Sequence, residues 1–416
     1  MKKLFAIAVV FALVAGTAFA MDVGGTVFGH VNFLEGDSLK ETRTDDHKIF
    51  ASGGMDRLRI DGGGEAMEGK FGGYIRIDGG IEGHAWWKPL DLLKFTIGKN
   101  VSDGIWGKEG VTGWSFNQMP YDCGVAVNTG IWGTEFYAAP DWSKSRWAFF
   151  GGFGGGGALL EVKPIDILSV NIAIPFIDDV DNDGNPGGKA ADVFSRVVGQ
   201  VDVNIGGVGN IALTYTGEGR GYIKDGNFKG SPIDEPTGSF FLYYGGNFGA
   251  LGIDFGLGYH LADKHGSHHN QPLGLGLGVK FAASDQFGIK FRTVVAIPGE
   301  KFQEMNFKAD LLPYFALNDN MCIFLNTGLN VTIPSEDEQK INKNTGDKWK
   351  NDPTVGFVLN PYLRVGAEWG PTFYVGFQLY TDGIKTYKGG DTNKPDPKKG
   401  DPILQWAIPI ALQVSF

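Results

Sequence analysis

The last thirteen residues, "LQWAIPIALQVSF" (Leu404–Phe416), contain no charged side chain. Bulky apolar residues stand at every second position: Leu404, Trp406, Ile408, Ile410, Leu412, Val414 and Phe416. Between them lie Gln405, Ala407, Pro409, Ala411, Gln413 and Ser415, all small or polar. A period of two belongs to a β-strand with one apolar and one milder face. The fold turns on which solvent that apolar face meets.

The pattern recurs along the chain. "LGLGLGVKF" sets Leu273, Leu275, Leu277, Val279 and Phe281 against three glycines and Lys280. "LGIDFGLGYH" sets Leu251, Ile253, Phe255, Leu257 and Tyr259 against Asp254, His260 and glycines. "FGIKFRTVV" opposes Phe287, Ile289 and Phe291 to Lys290 and Arg292, and "VGFVLNPYLRVGAEW" opposes Phe357, Leu359 and Leu363 to Asn360, Tyr362 and Arg364. "LSVNIAIPF" and "RVVGQVDVNI" repeat it earlier in the chain. The 65 glycines and 13% aromatics of this 416-residue chain fit many strands joined by tight turns.

Connections alternate in length. Tight joints are expected near Lys88–Asp91, Lys163–Asp166, Gly206–Gly207, Asn247–Gly249, Ser284–Asp285, Asn318–Asn320 and Gly370–Pro371. Long polar connections span 34–55, 99–131, 177–191, 217–237, 261–270, 333–352 and 382–402. Strands of about 9–13 residues suit a tilted crossing of a hydrocarbon layer better than a soluble sandwich. In a sandwich the apolar rows lie inside and the charges outside; in a membrane barrel the order inverts.

Residues 1–20 read as a signal peptide: Lys2 and Lys3, an apolar run from Leu4 to Val14, then Ala18-Phe19-Ala20 before Met21. Its removal would leave 35 basic against 47 acidic side chains, a formal charge of −12, which argues against nucleic acid as a partner. Beyond residue 20 no run of about 18 apolar residues offers a transmembrane helix. The two cysteines, Cys123 and Cys322, are too few for a disulfide scaffold; one bridge and two free thiols both stay open.

With a signal peptide, many amphipathic strands and a terminal strand ending in Phe416, the chain resembles porin-type outer-membrane β-barrel proteins of diderm bacteria. The resemblance is architectural, covers residues 21–416 and fixes no particular family. It implies one all-β domain: a transmembrane antiparallel up-and-down barrel of about 16–20 strands, with short periplasmic turns and long extracellular loops. It also implies the outer membrane as location, a lipid bilayer around the barrel, and recognition of the C-terminal strand by the barrel-assembly machinery. The oligomeric state stays open between monomer and trimer. Interfacial aromatics are expected among Trp86, Trp87, Trp147, Tyr243, Tyr244, Tyr259, Trp369, Tyr380 and Trp406.

The face opposite the lipid row collects the pore-lining candidates. They are Arg57, Arg59, Arg76, Lys94, Arg196, Lys280, Lys290, Arg292, Lys308 and Arg364, with Asp202, Asp254, Asp310 and Glu368 among their acidic companions. Rings of such charges select ions, and the same residues can also serve as a lattice of wall ion pairs. Arg57, Arg59, Lys290 and Arg292 are expected to form the basic patch. The glycine- and aromatic-rich loop 99–131 reads either as a constriction folded into the lumen or as an exposed loop. A bridge from Cys123 to Cys322 would pin it.

Three motifs point elsewhere. "DVDNDGN" places Asp179, Asp181 and Asp183 as in the first half of a calcium loop, but Ala190 stands where the closing glutamate belongs. It reads first as a solvated acidic turn and second as a loose Ca2+ site. His265, His268 and His269 near His260 read as a surface loop before a metal site. "GLGLG" lies in an alternating strand with no helix after it, so it is not a dinucleotide loop. No catalytic grouping stands out, and no enzyme is expected. The expected function is passive diffusion of small hydrophilic solutes. The alternatives are an adhesin or ligand-binding protein acting through the long loops, and a substrate-specific uptake channel hinted at by Tyr362, Tyr374 and Tyr380.

Overall fold

The computed structural model describes residues 20–37, 47–78, 80–99, 101, 156–176, 197–219, 222–224, 227–232, 237–261, 273–297, 305–333, 339–341, 348–350, 354–366, 371–381 and 404–415. The expected signal peptide except Ala20, the loop 99–131 beyond Val101, Cys123, the Asp179–Asp183 motif and the 265–269 histidines lie outside them.

The first half of the barrel is built from β1 (Ala20–Asp37), β2 (His47–Ala66), β3 (Phe71–Ile77), β4 (Ile81–Leu90), β5 (Leu93–Lys99), β6 (Gly156–Ile165), β7 (Leu168–Pro175), β8 (Val198–Ile205) and β9 (Gly209–Gly219). A hairpin of β10 (Tyr222–Lys224) and β11 (Asn227–Pro232) follows. The second half holds β12 (Thr237–Phe248), β13 (Leu251–Leu261), β14 (Leu273–Ala282), β15 (Phe287–Ile297), β16 (Met305–Asn318) and β17 (Met321–Ile333). After a second small hairpin, β18 (Gln339–Ile341) with β19 (Lys348–Lys350), come β20 (Thr354–Gly366), β21 (Thr372–Gly376), β22 (Gln378–Thr381) and β23 (Leu404–Ser415).

Every barrel strand pairs antiparallel with its chain neighbour, and β23 returns to pair with β1 from Thr26↔Ser415 to Asp37↔Gln405. Among the described residues the barrel sheet is left with no edge strand, which is what a strand structure in hydrocarbon requires, because an edge would leave rows of N–H and C=O groups without partners. The sheet has nineteen strands, but β21 and β22 are two halves of one stave interrupted at Phe377, so eighteen staves close the barrel. That lies inside the expected range.

The interruption has a chemical cause. Phe377 N–H donates to the Pro361 carbonyl at 3.0 Å, but proline has no N–H to return. The Asn360 side-chain amide donates to the Phe377 carbonyl instead, at 3.2 Å. The ladder continues on either side with Tyr362↔Gly376 and Leu359↔Leu379.

At one rim the joints are tight: 67–70, 91–92, 166–167, 206–208, 249–250, 283–286 and 319–320. Six match the expected joints; the seventh, Met67–Lys70, was not among them. It is made by Met67, Glu68 and Gly69, all with positive φ, and closed by Lys70 N–H to Met67 O at 3.2 Å.

The faces settle the solvent question. Large apolar side chains stand on the outside: Leu58 is 55% exposed and Ile97 58%, with Ile75, Leu213, Phe315 and Leu325 likewise exposed. Each would forgo about 1.5–3 kcal/mol if left in water. The buried set includes a large polar share, Asn171, Gln200, Asp202, Arg292, Asp310, Asn326, Asn360 and Gln378, beside small aliphatic and aromatic residues such as Ala173, Val358, Phe324 and Tyr362. The order is the inverse of a soluble sandwich, and the outer belt is one that hydrocarbon solvates.

Two expected girdle aromatics face inward. Alternation cannot put Trp86 and Trp87 on the same side. Trp87 takes the outside, 47% exposed, in a stacked row with Phe71 and Phe95. Trp86 lies inside against Gly72, where an added Cβ would fall 2.0 Å from its Cζ2. Likewise Tyr243 is inside and buried, while Tyr259 is outside and 50% exposed.

Candidate functional site

The inner wall formed by β2 to β6 carries a continuous charged and aromatic surface. Asp61 on β2 lies opposite Arg76 on β3, and Gly63 opposite Tyr74. Asp61 accepts from Arg59 Nε at 2.5 Å, from Arg76 Nε at 3.0 Å and from the Tyr74 hydroxyl. Arg76 also donates to Tyr74 Oη at 2.8 Å, with its guanidinium 5.4 Å from the centre of that ring. One carboxylate thus holds two guanidiniums and a phenol, and the group keeps a net positive charge.

The rings continue sideways. Tyr74 touches His84 at 5.5 Å between centroids, and His84 touches Trp86 at 6.0 Å. Lys94 on β5 stands 5.7 Å from the Trp86 ring and pairs with Glu161 on β6 at 2.7 Å. Register brings these together: Tyr74↔His84, Trp86↔Thr96 and Lys94↔Glu161 are direct cross-strand pairs. The side chains remain accessible, at 27% for Arg59, 30% for Arg76 and 31% for Lys94.

The wall from β15 to β23 is different. Arg292 Nη2 donates to Asp310 Oδ2 at 2.7 Å, and the two side chains are 2% and 1% exposed. Asn326 pairs across to Asn360, and both are buried, as is Gln378. Toward the tight-turn rim Tyr314, Phe324, Tyr362 and Tyr374 form a ladder of rings with centroid spacings of 6.1, 4.7 and 6.5 Å. Phe324 and Tyr362 are parallel within 9°, and the Arg364 guanidinium lies 5.4 Å from Phe324. These rings contact one another, and Phe324, Tyr362 and Tyr374 are buried. Cys322, also inward, belongs to the same cluster.

A third region spans β7 to β13. Asn171 and Gln200 both donate to Asp202, at 3.2 and 2.7 Å, and Thr214 donates to Gln200 at 2.8 Å. Tyr243 donates to Asp254 at 2.7 Å. A neutral amide or phenol therefore faces each of these two carboxylates.

Of the residues singled out in the sequence, Arg59, Arg76, Lys94, Asp202, Asp254, Lys280, Lys290, Arg292, Asp310 and Arg364 occupy the inner face, by alternation with exposed apolar neighbours. The side chains of Arg57, Lys308 and Tyr380, and all of Arg196 and Glu368, lie outside the described residues. The expected basic patch of Arg59 with Lys290 and Arg292 does not form. β2 and β15 stand on nearly opposite walls, and Arg292 is buried against Asp310. Among the described inner-face cations, Arg59, Arg76 and Lys94 are accessible on the β2–β6 wall, while Lys280 is exposed and Lys290 and Arg364 are half-buried on the other walls. Tyr74, His84, Trp86 and Glu161 were not singled out as lining residues. The parity that selects Arg76 and Lys94 also selects them, as the i±2 neighbours of inward residues or, for Glu161, as a direct cross-strand partner.

No family model matches the chain, and no curated protein does. Among solved structures it is similar in outline to OmpT, an outer membrane protein of Vibrio cholerae, with 10% identity, a TM-score of 0.42, and coverage of 96% of this chain and 98% of that one. It is similar also to the outer membrane channel DcaP of Acinetobacter baumannii, with 10% identity, a TM-score of 0.42, and coverage of 96% and 97%. A triple mutant of Rhodopseudomonas blastica porin has 12% identity, a TM-score of 0.40, and coverage of 95% and 100%.

Proposed function

We propose that the protein is a porin-like channel of a diderm bacterial outer membrane, through which small hydrophilic solutes diffuse down their gradients. One observation carries the reading: eighteen staves close with apolar side chains outside and charged, amide and glycine residues inside. Barrels of about 16–18 strands are too wide for side chains alone to fill, so an aqueous passage is their ordinary state. The tight-turn rim faces the periplasm in this reading, and the long connections face outward. Docking of β23 on β1 is the step that the assembly machinery would complete.

Within the passage, solutes meet the wall that is accessible. The β2–β6 wall exposes Arg59, Arg76 and Lys94, whereas Arg292 and Asp310 are sealed into the opposite wall. The first group therefore contributes to the field along the path, together with Lys280 and Lys290, which face each other across β14 and β15.

Single-channel recording of the purified, folded barrel in a planar bilayer tests the proposal. Discrete conductance steps are expected. A folded barrel that inserts and gives no step overturns the channel reading and leaves the loop-mediated binding protein in its place.

A further inference from the structure

We propose that Arg59 and Arg76, together with the Tyr74, His84 and Trp86 rings, form an interior binding site for a small planar aromatic carboxylate. The inference rests on the channel reading and specifies a solute class for it.

The cationic end is preorganised. Asp61 takes the Nε edges of both arginines, and Tyr74 buttresses them through its hydroxyl. The Nη nitrogens of Arg76 remain uncommitted among the described residues and stand in an accessible part of the lumen. A guanidinium fork matches a carboxylate bidentately, and a fork already held in place loses little side-chain freedom on binding. Two guanidiniums against Asp61 leave a surplus positive charge for an incoming anion, since Glu82, directly across from Arg76, is matched by Lys99 at 3.9 Å.

The flat end lies beside it. Trp86 rests on the Gly72 backbone, half-buried on the inner wall, with Lys94 Nζ 5.7 Å from the centre of its ring. His84 lies between Tyr74 and Trp86, tilted by 34° to the one and 46° to the other, so a row of three rings runs from the arginines toward Lys94. A planar ring stacks on such a floor, while a bare anion gains nothing from it. Anchor and floor are adjacent because Arg76 and Tyr74 are i and i−2 on β3, with His84 directly across.

The test uses the purified full-length barrel in two formats: block of KCl current in planar bilayers, and titration calorimetry in detergent micelles. The probes are benzoate, acetate, benzamide and inorganic phosphate. Benzoate is expected to half-block at a concentration about tenfold below acetate or benzamide, the scale of one stacking contact or one charged fork. Arg76→Gln and Trp86→Ala should each weaken benzoate by roughly tenfold, while Trp86→Phe keeps most of the binding. Arg76→Lys keeps the charge but loses the fork, so it should weaken benzoate as well. Each variant is first shown to keep heat-modifiable gel mobility; if Trp86→Ala does not fold, the ranking of the four probes on the unmodified protein still decides. Equal block by benzoate and acetate, equal block by benzamide, or tighter phosphate than benzoate overturns the proposal. Calorimetric binding without any conductance would sink the channel and leave the site standing; conductance without benzoate preference does the reverse.

Discussion

The Asn360 side-chain amide donates to the Phe377 carbonyl at 3.2 Å, in the place where Pro361 has no N–H to offer. A side chain thereby completes a backbone ladder in the middle of the barrel wall. An unpaired carbonyl there would carry a desolvation cost of about 1–3 kcal/mol.

Asn360→Leu should therefore destabilise the barrel by about that amount, read as a lower urea or guanidinium midpoint in detergent. Pro361→Ala restores the missing donor. In the Asn360→Leu background it should recover a large part of the loss, a coupling that independent effects would not produce.

Arg292 and Asp310 are sealed together at 2.7 Å. Asp310→Ala leaves a guanidinium without that carboxylate in a buried wall and should cost about 3–5 kcal/mol, measured by chemical unfolding. Replacing both residues by apolar side chains of similar size should cost far less. Ion selectivity of the doubly substituted, folded barrel should match that of the original, because solutes do not reach this pair.

Selectivity should respond at the other wall. Neutralising Arg59 and Arg76 to Gln is expected to shift the reversal potential in a KCl gradient toward cation preference. The shift should be larger near 0.1 M than near 1 M salt, because screening shortens from about 10 Å to about 3 Å. An unchanged reversal potential in a conducting variant would place the ion path elsewhere.

Leu325 is 43% exposed on the outer face. In water, Leu→Lys at such a position would be nearly neutral. In a bilayer it should cost about 2–4 kcal/mol if it lies near the midplane, measured as folding yield or unfolding free energy in lipid vesicles. No penalty would mean that this face does not meet hydrocarbon.

Gly72→Val forces the Trp86 indole off its bed, since even a Cβ would overlap Cζ2. Displaced into the lumen, the ring should lower single-channel conductance. Destabilisation of about 1–3 kcal/mol is expected alongside.

Much of the architecture was legible because it is local. Alternation fixes which of Arg292 and Phe291, or of Tyr362 and Leu363, shares a face with its neighbours, and Gly, Asn, Asp and Pro mark six of the seven tight joints. Met67–Lys70 was missed because two of its three left-handed residues are Met67 and Glu68, which carry no turn signal, leaving Gly69 as one glycine among many. The paired tryptophans show the limit of reading aromatics by position: Trp86 and Trp87 are adjacent in the chain and face opposite solvents.

By itself the sequence determined the two-faced strands, because a period of two is a property of each segment alone, while strand length and the alternating connections favoured the inside-out order. Only the tertiary structure decided which cations remain accessible. Burial and ion pairing depend on which staves become neighbours after closure and at what register. Those contacts join Asp61 to Arg76 and Arg292 to Asp310 across strands, and set β2 and β15 on nearly opposite walls.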